Sequence, residues 1–439
     1  MTRATLVALI ALGIAPGARA EPIEISGRVL AHVRQIDDRN PDLRNDVFSK
    51  MGGSSVASRA FLRCFASPYV DLGEHQDLAS SIEYFHGAHG DSFGRESDAA
   101  GVSWNLRYVL RGRPPHFRRE IERTQARWAL VLFGGNDAQN QNERVYAERL
   151  VFLVEQLEEM GVVPILGSAL PRRSESKDLW IRRFNAITEA VARHWELPFI
   201  DYYEALRRLP RSGLARDGVH PNVYGQGGLR SACQLTETGL RYGNNMRNLL
   251  TLQMLDALRI SVLAAGTGTH TDTAPDAAAA IDPATPTAAA IDPATPTAAA
   301  TDPATPTDAA AATAADPVTD PVRDPAPFPL SALVDKPSLP PLLSLPRGCG
   351  SSKPGSRLYR TRLELLERTR LRASAFDLSG DKPRVFWARA DEKGERCVRR
   401  RDQTIEVDAR PGMWDFIVEV PERAAQEGRM LILITRDSR

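Results

Sequence analysis

Residues 126–137 read ARWALVLFGGND. Apart from Arg127 the run is apolar until it meets two glycines. It is too short and too evenly apolar for an amphipathic helix. It has the composition of a strand buried on both faces, which is how strands of parallel sheets read. A parallel strand needs a crossover, usually a helix. The next segment supplies one, because Asn142 to Met160 places Leu150, Val154 and Leu157 on one helical face. Downstream the alternation continues: VVPILGS (162–168) as a strand, Lys177 to Trp195 as a helix, PFIDYY (198–203) as a strand, and Asn245 to Ala257 as a closing apolar-faced helix. Upstream, DVFSKMGG (46–53) reads as the first strand, a helix follows from Ser55, and SIEYF (81–85) reads as the second strand. Five strands alternating with helices predict an α/β domain with a doubly wound parallel sheet. Ligands in such sheets sit beyond the carboxyl ends of the strands.

The chain has 439 residues, more than one ordinary compact domain. Composition divides it. Residues 1–20 carry Arg3, a short apolar run and an Ala-Arg-Ala ending, the pattern of a secretory signal peptide. The apolar run is too short to span a bilayer, and no later segment reaches spanning length without charges. Residues 21–264 have globular patterning. Residues 265–345 are mostly Ala, Pro, Thr and Asp with the repeat AAAIDPATPT, which predicts a disordered linker of polyproline character. Residues 346–439 predict a small β-sandwich from strands RLYRTRLELLE, RTRLRASAFDL, RVFWARA, TIEVDA, WDFIVEV and MLILITR. The leader and a composition rich in Ala, Arg and Asp predict a bacterial protein of the periplasm or the cell exterior. The net charge of +1 gives no pull toward nucleic acid. The four cysteines include no C-x-x-C pair, which argues against zinc ribbons and redox motifs. One bridge within each half, Cys64–Cys233 and Cys349–Cys397, leaves the linker unconstrained and suits an oxidising compartment.

Three short blocks carry chemistry. Gly52-Gly53-Ser54 lies where a strand turns into a helix, so the glycines expose a hydroxyl close to backbone N–H groups. Gly134-Gly135-Asn136-Asp137 ends the 126–133 strand and offers an amide donor. Asp217-Gly218-Val219-His220 puts a carboxylate and an imidazole on one loop, the spacing by which an acid orients a general base. A cluster of His86, His89 and Asp91 has metal-binding residue types, but without a clear helix to set their spacing they read as polar side chains facing solvent, and no metal is expected.

In these blocks, and in their order, the chain resembles the SGNH hydrolases, also called GDSL esterases and lipases. The resemblance covers residues of about 44 to 260 and implies a flavodoxin-like three-layer α/β/α fold. It implies Ser54 as nucleophile with His220 and Asp217 completing a triad. It also implies an oxyanion hole from the Ser54 amide, Asn136 and Gly101. No cofactor is implied. The family usually has Gly-Asp-Ser, where this chain has Gly53 in place of the Asp. A literal Gly90-Asp91-Ser92 is rejected as the nucleophile, because too few positions separate Ser92 from Gly101 for a crossover. The expected function is an exported serine esterase acting on acylated carbohydrate, lipid or a small ester. The alternative is a non-catalytic binding protein on a degenerate scaffold of the same type. The C-terminal region resembles the pre-peptidase C-terminal type of domain, a candidate for binding a surface or polymer.

Overall fold

The computed structural model describes residues 23, 25–87, 90–225, 228–266, 345–346, 348–366, 368–377, 383–391, 394–402, 404–421 and 430–437. The leader over 1–20 lies outside them. So does the 265–345 segment, except its first two residues and its last.

In chain order the first region contains α1 (Gly27–Asp37), β1 (Arg44–Gly52), α2 (Ser54–Ala57), α3 (Ala79–His86), α4 (Leu106–Val109), α5 (His116–Thr124), β2 (Ala126–Leu132), α6 (Glu143–Glu159), β3 (Val163–Gly167), α7 (Glu175–His194), β4 (Phe199–Ile200), α8 (Tyr202–Arg207) and α9 (Gly243–Gly266). Strands β1 to β4 form a parallel sheet in the order β1-β2-β3-β4. Helices α3 and α5 pack on β1, while α1, α6 and α7 pack on β3. This is the flavodoxin-like order with one edge strand missing.

Every residue of β2 is buried, as its composition predicts. The charge of Arg127 is tolerated there because its guanidinium donates to the carbonyls of Gly161 at 2.8 Å and Asn40 at 2.8 Å and pairs with Asp37 at 2.7 Å. Among the described residues the sheet has four strands, one fewer than expected. SIEYF is part of α3. Leu78, Ser81 and Phe85 are buried at helical spacing, and the Ser81 hydroxyl donates to Asp256 of α9 at 2.5 Å. The missing edge strand is reduced to one parallel bridge, Gly52 with Ala100. PFIDYY gives only a two-residue strand, because the Asp201 side chain accepts the Glu204 N–H at 3.1 Å and caps α8. The helix expected from Ser55 is a single turn.

The C-terminal region folds as two antiparallel sheets. One has the order β5-β10-β7-β8 and the other β11-β6-β9. Their ranges are β5 (Ser356–Leu365), β6 (Thr369–Asp377), β7 (Arg384–Asp391), β8 (Gly394–Asp402), β9 (Thr404–Ala409), β10 (Gly412–Pro421) and β11 (Met430–Asp437). Trp387, Phe416 and Val418 of one sheet share a buried core with Leu371, Ile405 and Ile434 of the other. The six expected strands are present. The seventh, β8 (GERCVRRRD), carries too many charges to show an apolar alternation. Both disulfides pair as expected, Cys64 with Cys233 and Cys349 with Cys397.

Candidate active site

The carboxyl ends of the parallel strands converge on one cavity of about 200 Å³. Strand β1 delivers Ser54, β2 delivers Asn136, and the loop after β3 delivers Arg172, all on the cavity wall. Turning from β1 into α2 demands small residues. A side chain at Gly52 would put its Cβ 2.4 Å from Val56 Cγ2 and 2.8 Å from the Leu132 carbonyl. At Gly53 a Cβ would lie 3.0 Å from Asn136 Nδ2 and 3.1 Å from the Trp104 carbonyl. A side chain there would press on Trp104 and Asn136 by a few tenths of an ångström, so a glycine suits this turn as it stands.

The Ser54 hydroxyl and His220 Nε2 are 2.8 Å apart, and His220 Nδ1 is 2.7 Å from Asp217 Oδ2. The other Asp217 oxygen accepts the N–H groups of Val219 at 2.9 Å and His220 at 3.0 Å. Partial burial works against the Asp217 charge. The His220 ring and these two amides outweigh it and hold the carboxyl down at about 2. Asp217 is therefore ionised across the neutral range and fixes the ring with Nε2 toward Ser54. The loop itself is anchored to α9. Asn222 Oδ1 accepts the Gly243 N–H at 2.7 Å, and Asn244 Nδ2 donates to the Pro221 carbonyl at 2.9 Å.

Asn136 Nδ2 donates to the Trp104 carbonyl at 2.8 Å. A primary amide has two N–H groups, so one remains for the cavity that Asn136 lines. Asp137 beside it is buried and accepts the N–H groups of Leu106 at 3.0 Å and Gly134 at 3.1 Å. Burial outweighs these bonds and pushes its carboxyl up to about 6. Gly101 is placed differently from expectation. Its N–H donates to the Gly52 carbonyl at 3.1 Å, in the bridge that replaces the edge strand. The cavity is lined instead by its neighbours Val102, Ser103 and Trp104. Ser92 is fully buried, and its hydroxyl accepts the Phe48 N–H at 3.2 Å. Gly90-Asp91-Ser92 is thus a turn, in which Asp91 accepts the amides of Phe93 and Gly94, each at 2.9 Å. His89 lies outside the described residues.

The sequence reading missed Arg172 and Arg247, both on the cavity wall. The position of Arg172 after a strand end was a usable signal. So was Arg247, a cation on a helix packed into the core.

Residues 73–227 match the model of the GDSL-like lipase/acylhydrolase family. The match includes Gly101, Asn136, Asp217 and His220 and begins after Ser54. The chain carries a GDSL-like lipase/acylhydrolase domain and is an ester hydrolase of that class. Solved structures give more distant likenesses. A GDSL-like lipase from Bacteroides thetaiotaomicron is 19% identical, with 52% of this chain and 98% of that chain covered and a TM-score of 0.33. A catalytic mutant of an acetylxylan esterase from Geobacillus stearothermophilus is 14% identical, with 47% and 93% covered and a TM-score of 0.32. A psychrotrophic esterase from Pseudoalteromonas sp. is 11% identical, with 50% and 99% covered and a TM-score of 0.33. No curated protein sequence matches the chain.

Proposed function

We propose that the protein is an exported serine esterase that cleaves a short-chain acyl ester through an acyl-serine intermediate. The observation carrying this reading is the unbroken chain of contacts from Ser54 through His220 to Asp217 at 2.8 and 2.7 Å, opening on the cavity. Ser54 Oγ attacks the ester carbonyl while His220 Nε2 takes its proton. The same nitrogen then protonates the leaving alcohol, and a water activated by His220 releases the acyl group. Asp217 stabilises the imidazolium without itself becoming protonated. The Ser54 amide and the second Asn136 N–H stabilise the oxyanion. The small cavity favours acetyl-sized groups over long acyl chains, so acylated carbohydrate and small esters suit it better than lipid. Two disulfides suit an oxidising compartment. Among the described residues no helix is long and apolar enough to cross a membrane.

A fluorophosphonate probe and para-nitrophenyl acetate test this together. Wild type and Ser92→Ala should be labelled and active, although Ser92→Ala loses some stability with its buried hydrogen bond. Ser54→Ala should be unlabelled and inactive. Labelling that survives in Ser54→Ala would remove Ser54 from the role of nucleophile.

A further inference from the structure

Two guanidinium groups stand on the wall of the Ser54 cavity, and neither has a carboxylate partner among the described residues. Arg247 reaches the wall from α9 and is 1% exposed. Its Nη1 donates to the Ser55 carbonyl at 3.2 Å, while its Nε is buried without any partner. Its flat face lies 4.3 Å from the Phe61 ring centre and 5.3 Å from that of Tyr202. Burial lowers its pKa to about 10, so it is still a cation at neutral pH. Isolated buried charges are costly and are normally paired. A pocket that retains one unpaired asks for an anion from outside.

Arg172 adds the second charge in a geometry suited to contact. Its Nη1 is occupied by backbone carbonyls, with Val219 at 3.0 Å, Pro171 at 3.3 Å and Leu170 at 3.4 Å. Its Nη2 lies over Gly135, where a Cβ would come within 2.8 Å of it. The nearby carboxylates are already engaged. Asp178 accepts the Arg172 backbone N–H at 2.8 Å and the Tyr203 hydroxyl at 2.6 Å, and Asp217 holds His220. The glycine at 135 leaves the guanidinium edge lying against the loop that carries Asn136.

We propose that this esterase selects esters carrying a carboxylate, held by Arg172 across Gly135 in a cavity made electropositive by Arg247. The inference rests on the esterase reading above and names its substrate class. A guanidinium edge matches the two oxygens of a carboxylate, and a low-dielectric cavity strengthens the attraction. The carboxylate can reside in the acyl group or in the alcohol.

The test compares ester pairs that differ by one negative charge. On the acyl side, para-nitrophenyl hydrogen succinate is set against para-nitrophenyl methyl succinate. On the alcohol side, meta-acetoxybenzoate is set against its methyl ester. At least one acid should show kcat/KM about tenfold above its neutral partner, the ratio that a net charge-assisted bond of about 1.4 kcal/mol gives. The arm showing the preference tells which half of the substrate bears the charge. In Arg172→Gln and in Gly135→Ala the ratio should fall to near one, whatever happens to the absolute rates. A ratio near or below one in both arms of the wild type overturns the proposal. So does a preference that survives both variants. If the wild type hydrolyses none of the four esters, it is the esterase reading that fails.

Discussion

Asn136 has one N–H held by the Trp104 carbonyl at 2.8 Å and another left for the cavity. A donor so fixed acts on the charge that develops in the transition state more than on the bound ester. Asn136→Ala should therefore lower kcat by about 10²–10³ while changing KM little. Steady-state kinetics on para-nitrophenyl acetate check this, and an effect confined to KM would make Asn136 a binding residue. The triad candidates and Asn136 were legible in the sequence because their short blocks stand in the order of the SGNH hydrolases, whereas each block alone also reads as an ordinary turn or helix cap. Gly101 was legible only as a glycine. The placement of its N–H depends on a pairing with Gly52 that no local pattern reveals. Arg172 and Arg247 carried only weak signals, a cation after a strand end and a cation on a core-facing helix, and what places them at the site is their bonding to the distant Val219 and Ser55 carbonyls at 3.0 and 3.2 Å.

Strand β1 shows what a strand pattern hides. Lys50 sits inside DVFSKMGG, is 3% exposed, and donates from Nζ to the Phe93 carbonyl at 2.7 Å. Burial, helped by Arg95 and Arg63, lowers its pKa from 10.5 to about 7. Between pH 7 and the pKa of the unfolded lysine, the unfolded chain holds a proton that the folded chain lacks, so stability rises with pH across that window. Lys50→Met removes this dependence and also leaves the Phe93 carbonyl without its donor. The melting temperature of wild type relative to Lys50→Met should therefore climb from pH 7 to pH 10 and stay flat below pH 6. A difference independent of pH would mean that Lys50 titrates at its ordinary value. The apolar strands β2 and β3 were legible because both faces are buried. SIEYF was misread because its alternation of five residues fits either period. What decides for a helix is the distant partner Asp256, 2.5 Å from Ser81. Strand β8 was missed for the opposite reason, a run of charges on a backbone that pairs with β7 through a register shift at Trp387/Ala388.

At the scale of the whole molecule the β-sandwich packs against the hydrolase domain, with β11 against α7. Arg372 of β6 donates to Glu143 of α6 at 3.0 Å and to Glu406 at 2.6 Å, and its guanidinium lies 5.7 Å from the Trp180 ring centre. Composition marked the two folded regions but gave no sign of this contact, since an Arg in a strand reads as solvated. The contact sets up two different outcomes for two ways of removing Arg372. Cutting the chain after residue 264 also uncovers Glu143, so water replaces the lost partner. All residues of the proposed triad and of the Arg172 site precede the cut, and the truncated protein should keep its fold and its kcat/KM within about twofold. Arg372→Ala in the full chain leaves Glu143 covered, with Arg183 at 4.0 Å as its remaining ion-pair partner. Leaving a buried carboxylate short of a partner costs about 3 kcal/mol. Arg372→Ala should therefore lower the melting temperature of the hydrolase domain more than the truncation does, and Glu143→Gln should recover much of the loss. Calorimetry on Arg372→Ala, on the Arg372→Ala/Glu143→Gln double variant and on the truncated chain measures this directly. If truncation proves the more damaging change, the sandwich stabilises the hydrolase through apolar cover of α7 rather than through the Glu143–Arg372 pair.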